Sequence, residues 1–466
     1  MDKVIASPEQ AIADIPDGAT VAIAGFGLAH RFASSLITAL RDKGTARLTI
    51  VCNSLGGAGG IQGQILAENK QVSKLIASFS VRPGMDTVSE QQIVAGEMEV
   101  ELVPQGTLVE RCRAGGAGIP AFYTATSAGT AIASGKETRD FDGKPHVLEH
   151  AIRVDYALLR AHRGDRSGNL QFRGGSQNFN PSFAKCARVA IAEVDEIVEV
   201  GEIPPELVDL PGIFVSRIVK TTRPVDVQTL TRAKRRAADT ARLYNGKPAL
   251  TRAAIAKRAA ALVDDGSYIN LGTGIPTLVS NYLEKRDVVL HAENGILGYG
   301  EMVSGADIDL DNYNAGSQFV ALRPGASFFD SVTSFEMARG GKIDTVILGA
   351  YEVDQQANLA NWSTADALRG GIGGAMDLVV GGAQLIIVME HCDSRNRPKL
   401  RRECTYPLTG IGCVNYVVTD LALLHWQHGR FVLEEVAPGF SPDEVLELAE
   451  MEISIGPSVR SMDSGT

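Results

Sequence analysis

The sequence predicts an α/β protein of two homologous α/β domains with largely parallel sheets. Three observations carry the prediction. Apolar strand-like runs end in glycine turns that lead into helices, and the same pattern returns near residue 250. The 466 residues also hold 49 glycines against 19 prolines, a balance that points to backbone positions needing positive φ or close ligand approach rather than to low complexity.

Taken in order, Ser7-Pro8-Glu9-Gln10 offers an N-cap serine, proline at the first helical position and glutamine at the reciprocal capping position, so a helix starts there and ends before Pro16-Asp17-Gly18. Thr20 to Ala24 reads as a buried strand, Gly25-Phe26-Gly27 as a turn and Phe32 to Leu40 as a helix. A second strand, Leu48 to Val51, runs into Asn53 and the glycines Gly56, Gly57, Gly59 and Gly60. Thr251 to Leu262 then has helical apolar spacing, followed by Asp265-Gly266, a strand Ser267 to Leu271, the turn Gly272-Thr273-Gly274 and a helix through Tyr282. The expected domains are 1–222 and 249–466. The linker 223–248 carries the basic group Arg232, Lys234, Arg235 and Arg236, read as a solvated face.

Forty-five Lys and Arg against 55 Asp and Glu leave a net charge of −10, which argues against a nucleic-acid binder or a protein held to anionic membrane. The six cysteines are scattered without metal-ligand spacing, so no metal is expected and a reducing compartment fits. Met1 to Ala6 resembles neither a secretion signal nor a transit peptide, and no apolar run reaches the length of a spanning helix. The expected location is the cytoplasm.

Glu293 heads the candidate functional residues. It follows the short apolar strand Val288 to Leu290 and precedes Asn294-Gly295, the strand-end position where α/β folds place reacting groups. A carboxylate there can be a base, a ligand or a nucleophile, and the residues alone equally allow a capping loop glutamate. Arg369-Gly370-Gly371-Ile372-Gly373-Gly374 precedes helix formers, which suits either an anion at exposed N–H groups or tight packing. Gln105, in Val103-Pro104-Gln105-Gly106, can donate its amide to a carbonyl or cap a turn. His391 reads as a satisfied partner. The basic stretch Arg395, Arg397, Lys399, Arg401 and Arg402 is either a solvated loop or a meeting point for nucleotide phosphates. Walker A and Gly-x-Ser-x-Gly are absent. His30 stands where a dinucleotide fingerprint needs its last glycine, so no NAD site is expected.

Jointly these segments resemble the family I coenzyme A transferases, in the 3-oxoacid form with two subunits fused in one chain. The resemblance rests on Gly25-Phe26-Gly27, Val103-Pro104-Gln105-Gly106-Thr107, Asn270-Leu271-Gly272-Thr273-Gly274, Glu293-Asn294-Gly295, Gly371 to Leu378 and Pro407-Leu408-Thr409-Gly410. It implies Glu293 as a nucleophile forming a glutamyl-CoA thioester, with the Gly374 N–H and the Gln105 amide as oxyanion donors. It also implies ping-pong transfer without a cofactor between an acyl-CoA, succinyl-CoA first, and a short 3-oxo acid, and a homodimer or larger assembly. Gly25, Phe26, Gly27, His30, Arg31, Asn53, Asn294, Ser317 and Gly373 are the expected substrate contacts. Three departures bear on the substrate: His30-Arg31-Phe32 replaces the usual Gly-x-Pro, Ala292 replaces serine, and Ser317 stands where the family commonly has lysine. Arg31 is therefore a candidate partner for the acid's carboxylate. An acyl-CoA hydrolase on the same scaffold is the nearest alternative and a non-catalytic ligand sensor the more distant one.

Overall fold

The computed structural model describes residues 2–26, 31–56, 62–80, 87–223, 239–364 and 370–462. Gly27, His30, Gly57, Gly59, Gly60, Arg369 and the basic group Arg232 to Arg236 lie outside the described residues.

Two large sheets organise the chain. In the first, the strands run in the order Arg217–Lys220, Ala187–Val198, Val154–Asp165, Thr20–Ile23, Leu48–Ser54, Val72–Phe79 and Glu99–Leu102, each parallel to its neighbour, with Leu170–Gln171 added antiparallel. In the second, five central strands, Tyr416–Val418, Gln384–Val388, Thr345–Leu348, Tyr268–Leu271 and Val289–Ala292, repeat the order of the first five and are again parallel. The second sheet departs from the expected pattern at its flanks. Ile296–Met302 and Val320–Phe328 add antiparallel beyond Val289–Ala292, and Ala422–Gln427 and Arg430–Val436 do so on the other side. Except for Val320–Phe328, which returns through the long connection 303–319, these strands follow short turns, and a strand returning through a short turn can only pair antiparallel.

The helices expected after Ser7 and from Thr251 are present, each with a side-chain cap. Ser7 accepts from the Gln10 N–H at 3.3 Å ahead of the short helix Pro8–Ala11, and Thr251 accepts from Ala254 at 3.2 Å ahead of Arg252–Ala260. The helix Ser34–Lys43 lacks a local cap. The N–H groups of Ser35 and Leu36 in its first turn instead donate to the buried Glu193 carboxylate at 2.9 and 3.2 Å, and Gly44 at φ 76° ends it.

The two halves also share a loop that the sequence hardly advertises. Asp165 Oδ1 accepts from the N–H groups of Ser167 and Asn169 at 2.9 and 3.0 Å, and the Asn169 amide donates to Asp165 Oδ2 at 2.8 Å. Asp354 does the same for Gln356, Asn358 and the Asn358 amide at 3.0, 3.1 and 3.0 Å. Even the next contact matches, since Asn169 and Asn358 each accept one glycine N–H, from Gly212 and Gly412, at 2.8 Å.

The halves are packed into one body. A continuous cluster of buried apolar side chains runs from Ala22, Val51 and Leu108 to Ile269, Val346 and Ile386, while a second cluster covers the other face of the first sheet. This packing sets the carboxyl ends of the Leu48–Ser54 and Val289–Ala292 strands, with Asn53 and Glu293, on a common cleft.

Candidate active site

A cleft of about 680 Å³ opens between the halves. Phe26, Asn53, Phe79 and Gln105 line it from the first half, and Glu293, Ser317, Gly373 and Gly374 are among those lining it from the second. Its floor is the row of carboxyl ends of the central strands, which is where parallel sheets leave a crevice.

Glu293 emerges one residue past the Val289–Ala292 strand and is 8% exposed. Its Oε2 has no hydrogen-bond partner among the described residues. Burial lifts its pKa from the usual 4.5 to about 7, its own backbone N–H opposes that rise, and the nearby Asp377 charge adds to it. A carboxylate stripped of water and partners is a stronger nucleophile than a solvated one.

The glycine turn reaches Glu293 closely enough to explain its composition. A Cβ on Gly374 would sit 3.0 Å from Glu293 Oε1 and 2.9 Å from the Phe335 ring, so a side chain there would displace the carboxylate. Gly374 stands at the N-cap of the short helix Ala375–Leu378, and its N–H is unpartnered among the described residues.

Gln105 is not in a turn: it is the first residue of the helix Gln105–Gly116, behind Pro104, and it is buried. Its backbone N–H donates to the Gly373 carbonyl at 2.9 Å, and its side-chain Nε2 donates to Asn53 Oδ1 at 2.8 Å. One amide proton of Gln105 stays uncommitted, and the buried Asn53 Nδ2 has no partner among the described residues. The cleft wall therefore presents neutral amide donors and the Gly374 N–H near a buried carboxylate.

Asp377 lies within the Gly371 to Leu378 motif but does not stand out in it. It is fully buried, accepts from the Gly106 N–H at 2.8 Å and the Thr126 hydroxyl at 3.2 Å, and lies 3.3 Å from Arg339. Burial pushes its pKa up, against the pull of Arg339 and the Gly106 N–H. It joins the helix that begins at Gln105 to the helix that begins beyond Gly374. The spacing Gly374 to Asp377, one helical turn, was the available signal.

Three expected substrate contacts sit elsewhere. The Arg31 guanidinium is engaged by Asp311 through Nε and Nη2, the latter at 2.8 Å, and by Asp195 through Nη1; it does not line the cleft, so it is not placed to meet the acid's carboxylate. Asn294 turns away, its amide donating to the Tyr313 carbonyl at 2.7 Å in a fully buried position, where it fixes the loop after Glu293. Gly25, at φ 138°, packs against the Phe32 ring beside Phe26 and does not itself line the cleft. His391, expected to be a satisfied partner, is only half so: it is buried and bonded through Nδ1 to Thr419 at 3.0 Å, while its Nε2 has no partner among the described residues, and burial lowers its pKa to about 4. Among the described residues no group of three or more His, Cys, Asp or Glu could hold a metal ion, and no helix is long and apolar enough to cross a membrane.

Comparison with known proteins gives a consistent answer. The coenzyme A transferase family model matches residues 5–221 and 252–448, one segment in each half. The mouse mitochondrial succinyl-CoA:3-ketoacid coenzyme A transferase 2A is 40% identical over 481 residues, covering 98% of this chain and 90% of its own. One of the separate subunits of succinyl-CoA:3-ketoacid coenzyme A transferase from Xanthomonas campestris is 52% identical over 210 residues, covering 45% of this chain and 85% of its own. The fold matches the crystal structure of an acyl-CoA transferase apoenzyme from Escherichia coli O157:H7 with a TM-score of 0.80 at 21% identity, over 99% of this chain and 96% of that one.

Proposed function

The chain belongs to the coenzyme A transferase family, and on that premise we propose that it moves CoA between succinyl-CoA and a short 3-oxo acid such as acetoacetate by way of a thioester on Glu293. It is an enzyme of the CoA-transferase class, so its substrates are an acyl-CoA and a carboxylic acid. The choice of succinyl-CoA and a 3-oxo acid follows the names of its relatives.

The observation that carries the reading is the buried Glu293 carboxylate, whose Oε2 has no partner among the described residues, packed so closely on Gly374 that a Cβ there would sit 3.0 Å from its Oε1. In this mechanism the carboxylate oxygen attacks the thioester carbonyl, the C–S bond breaks, and CoA leaves as thiolate with an acyl-glutamyl anhydride behind it. The thiolate then attacks the glutamyl carbonyl carbon and expels the acid as carboxylate, leaving glutamyl-CoA. A second acid reverses both steps. No proton is gained or lost overall, and the energy of the thioester is kept through an exchange for which neither a cofactor nor a metal is needed.

Each tetrahedral intermediate places negative charge on a former carbonyl oxygen. The Gly374 N–H and the uncommitted Gln105 amide proton are the donors the cleft offers for it, and Asn53 orients Gln105. Phe26, Phe79, Ile275, Leu348 and Met389 give the cleft apolar walls that keep water from the anhydride, which hydrolysis would destroy. Family domains at 1–222 and 249–466, and a homodimer or larger assembly, complete the reading.

The test is intact mass spectrometry after incubation with succinyl-CoA or acetoacetyl-CoA alone. A covalent CoA adduct in the wild type, absent in Glu293→Gln and discharged by added acid, is expected. Loss of thioester without an adduct or any dependence on acid would replace transfer with hydrolysis.

A further inference from the structure

Two residues before Glu293, near the end of the Val289–Ala292 strand, His291 is fully buried with both ring nitrogens engaged. The Asn270 amide nitrogen lies 3.0 Å from its Nδ1 and also donates to its backbone carbonyl at 3.4 Å, so the nitrogen end of that amide faces the ring. Nδ1 is therefore the acceptor, and Nε2 carries the proton, which it donates to the Ser334 hydroxyl at 3.0 Å. Burial lowers the His291 pKa to about 4, which keeps the ring neutral and this tautomer in place near pH 7. The imidazole does not line the cleft, so it can act on the reaction only through what it holds.

Ser334 belongs to the helix Ser331–Arg339, which meets several parts of the site's frame. Phe335, next in the chain, sets its ring so that a Cβ on Gly374 would sit 2.9 Å from it, and thus backs the glycine whose N–H is a proposed oxyanion donor. Arg339, one turn further on, lies 3.3 Å from Asp377 and 3.8 Å from Glu110 of the Gln105–Gly116 helix. The start of the helix is fastened to the first half, the Ser331 N–H donating to the Asn178 carbonyl at 3.0 Å.

The same imidazole braces the loop that carries Glu293. Its ring stacks on Phe329, with centroids 6.1 Å apart and planes 8° from parallel. The Phe329 N–H donates to the Gly295 carbonyl at 3.1 Å, and Gly295, at φ 111°, lies so close that a Cβ on it would overlap the Phe329 carbonyl oxygen. His291 is thus the joint between the loop that aims the carboxylate and the helix that backs Gly374.

We propose that His291 is a positioning residue of the transfer reaction: its bond to Ser334 fixes the register between the Glu293 loop and the helix behind Gly374, and so sets the attacking carboxylate against the oxyanion donors. The inference rests on the Glu293 reading given above. It concerns kcat, because a displacement on the order of 1 Å between nucleophile and donors slows the chemical step while the acyl-CoA is still bound by the walls of the cleft.

The experiment measures kcat and KM for acetoacetyl-CoA with added succinate, and the rate of CoA-adduct formation, in wild type, His291→Phe, His291→Gln, Ser334→Ala and the double variant His291→Phe with Ser334→Ala. His291→Phe keeps a ring on Phe329 and removes the bond, so kcat and the adduct rate are expected to fall at least about tenfold with KM within about twofold. Glutamine carries an amide nitrogen that can take the place of Nε2, and His291→Gln should recover most of the rate. Ser334→Ala should lose a similar amount, and the double variant should be within about twofold of the slower single one, since all three remove the same bond. Ser334→Ala removes one oxygen and carries the test should His291→Phe fail to fold. Losses that multiply in the double variant, a loss that falls on KM, or a glutamine variant as slow as the phenylalanine one would overturn the assignment. Wild-type turnover without an adduct would reject the glutamyl thioester, and the same kcat pattern would then keep the positioning role. A normal adduct rate in His291→Phe would reject the positioning role and leave the thioester standing.

Discussion

The backbone N–H of Gln105 donates to the carbonyl of Gly373 at 2.9 Å, and this bond fastens the start of a helix in the first half to the glycine turn of the second. The two proposed oxyanion donors are thereby set by one contact, and neither half contains both. Because the bond uses backbone atoms, it survives substitution of the side chain. Gln105→Ala should therefore lower kcat by about two orders of magnitude, the usual loss on removing an oxyanion donor. The melting temperature should change little. A large drop in thermal stability with a small drop in kcat would assign Gln105 to structure alone.

Asp377 works on the same junction from below. Its carboxylate accepts from Gly106, the residue after Gln105, and lies in the turn after Gly374. Asp377→Ala removes that acceptor and leaves Arg339 without its buried partner, so a stability loss of about 3 kcal/mol is expected along with slower adduct formation. Asp377→Asn keeps an acceptor oxygen and should recover most of the stability. Denaturant unfolding and the rate of CoA-adduct formation check the pair. Equal behaviour of the two variants would count against a positioning role.

What the sequence made legible follows from where local signals are strong. The strands read as Thr20 to Ala24 and Val288 to Leu290, the cap at Ser7 and the glycine turn at Gly373 and Gly374 are written in short-range patterns, and each appears in the structure, the strands as Thr20–Ile23 and Val289–Ala292. Glu293 was legible because a strand end before Asn-Gly is itself a local pattern. Arg31 and Asn294 were misplaced for a physical reason: a charged or amide side chain beside a motif has several directions to turn, and long-range partners, Asp311 and the Tyr313 carbonyl, decide which. The antiparallel flanks of the second sheet and the matched Asp165 and Asp354 loops were hidden likewise. The loops share little beyond an aspartate and an asparagine four residues apart, and only the folded hydrogen bonds show the likeness.

Burial of Glu293 carries its own pH signature. Its pKa rises to about 7 from 4.5, so the folded state disfavours the charge. The stability it allows is fully present below pH 4.5, is lost as the pH rises to about 7, and stays lost above that. At about 1.4 kcal/mol per pH unit the loss is on the order of 3 kcal/mol. Glu293→Gln should accordingly be more stable than wild type at pH 8 and nearly equal to it at pH 4.5, measured by denaturant unfolding at both. Reactivity runs the other way, since the ionised carboxylate is the nucleophile. Adduct formation in the wild type should rise about tenfold from pH 6 to pH 8. A flat rate profile with no stability gain in the variant would mean that Glu293 is not held in a desolvated state.

Arg31 now carries a prediction about folding and not about substrate choice. Its guanidinium bridges Asp195 of the first half and Asp311 of the second, and Asp311 is 1% exposed. Arg31→Ala leaves the buried Asp311 carboxylate with Arg173, 3.3 Å away on the other side, as its remaining ion-pair partner among the described residues. The expected cost is about 3 kcal/mol of stability, because the desolvation of Asp311 is no longer offset. Removing the second charge as well, in Arg31→Ala with Asp311→Ala, should restore part of it. The relative kcat/KM for acetoacetate and other short acids should stay within about twofold of wild type, since the side chain lies outside the cleft and a lost carboxylate contact would cost tenfold or more. Unfolding curves for the single and double variants, with an acid panel on each, separate the two roles. A changed acid preference at unchanged stability would return Arg31 to the substrate.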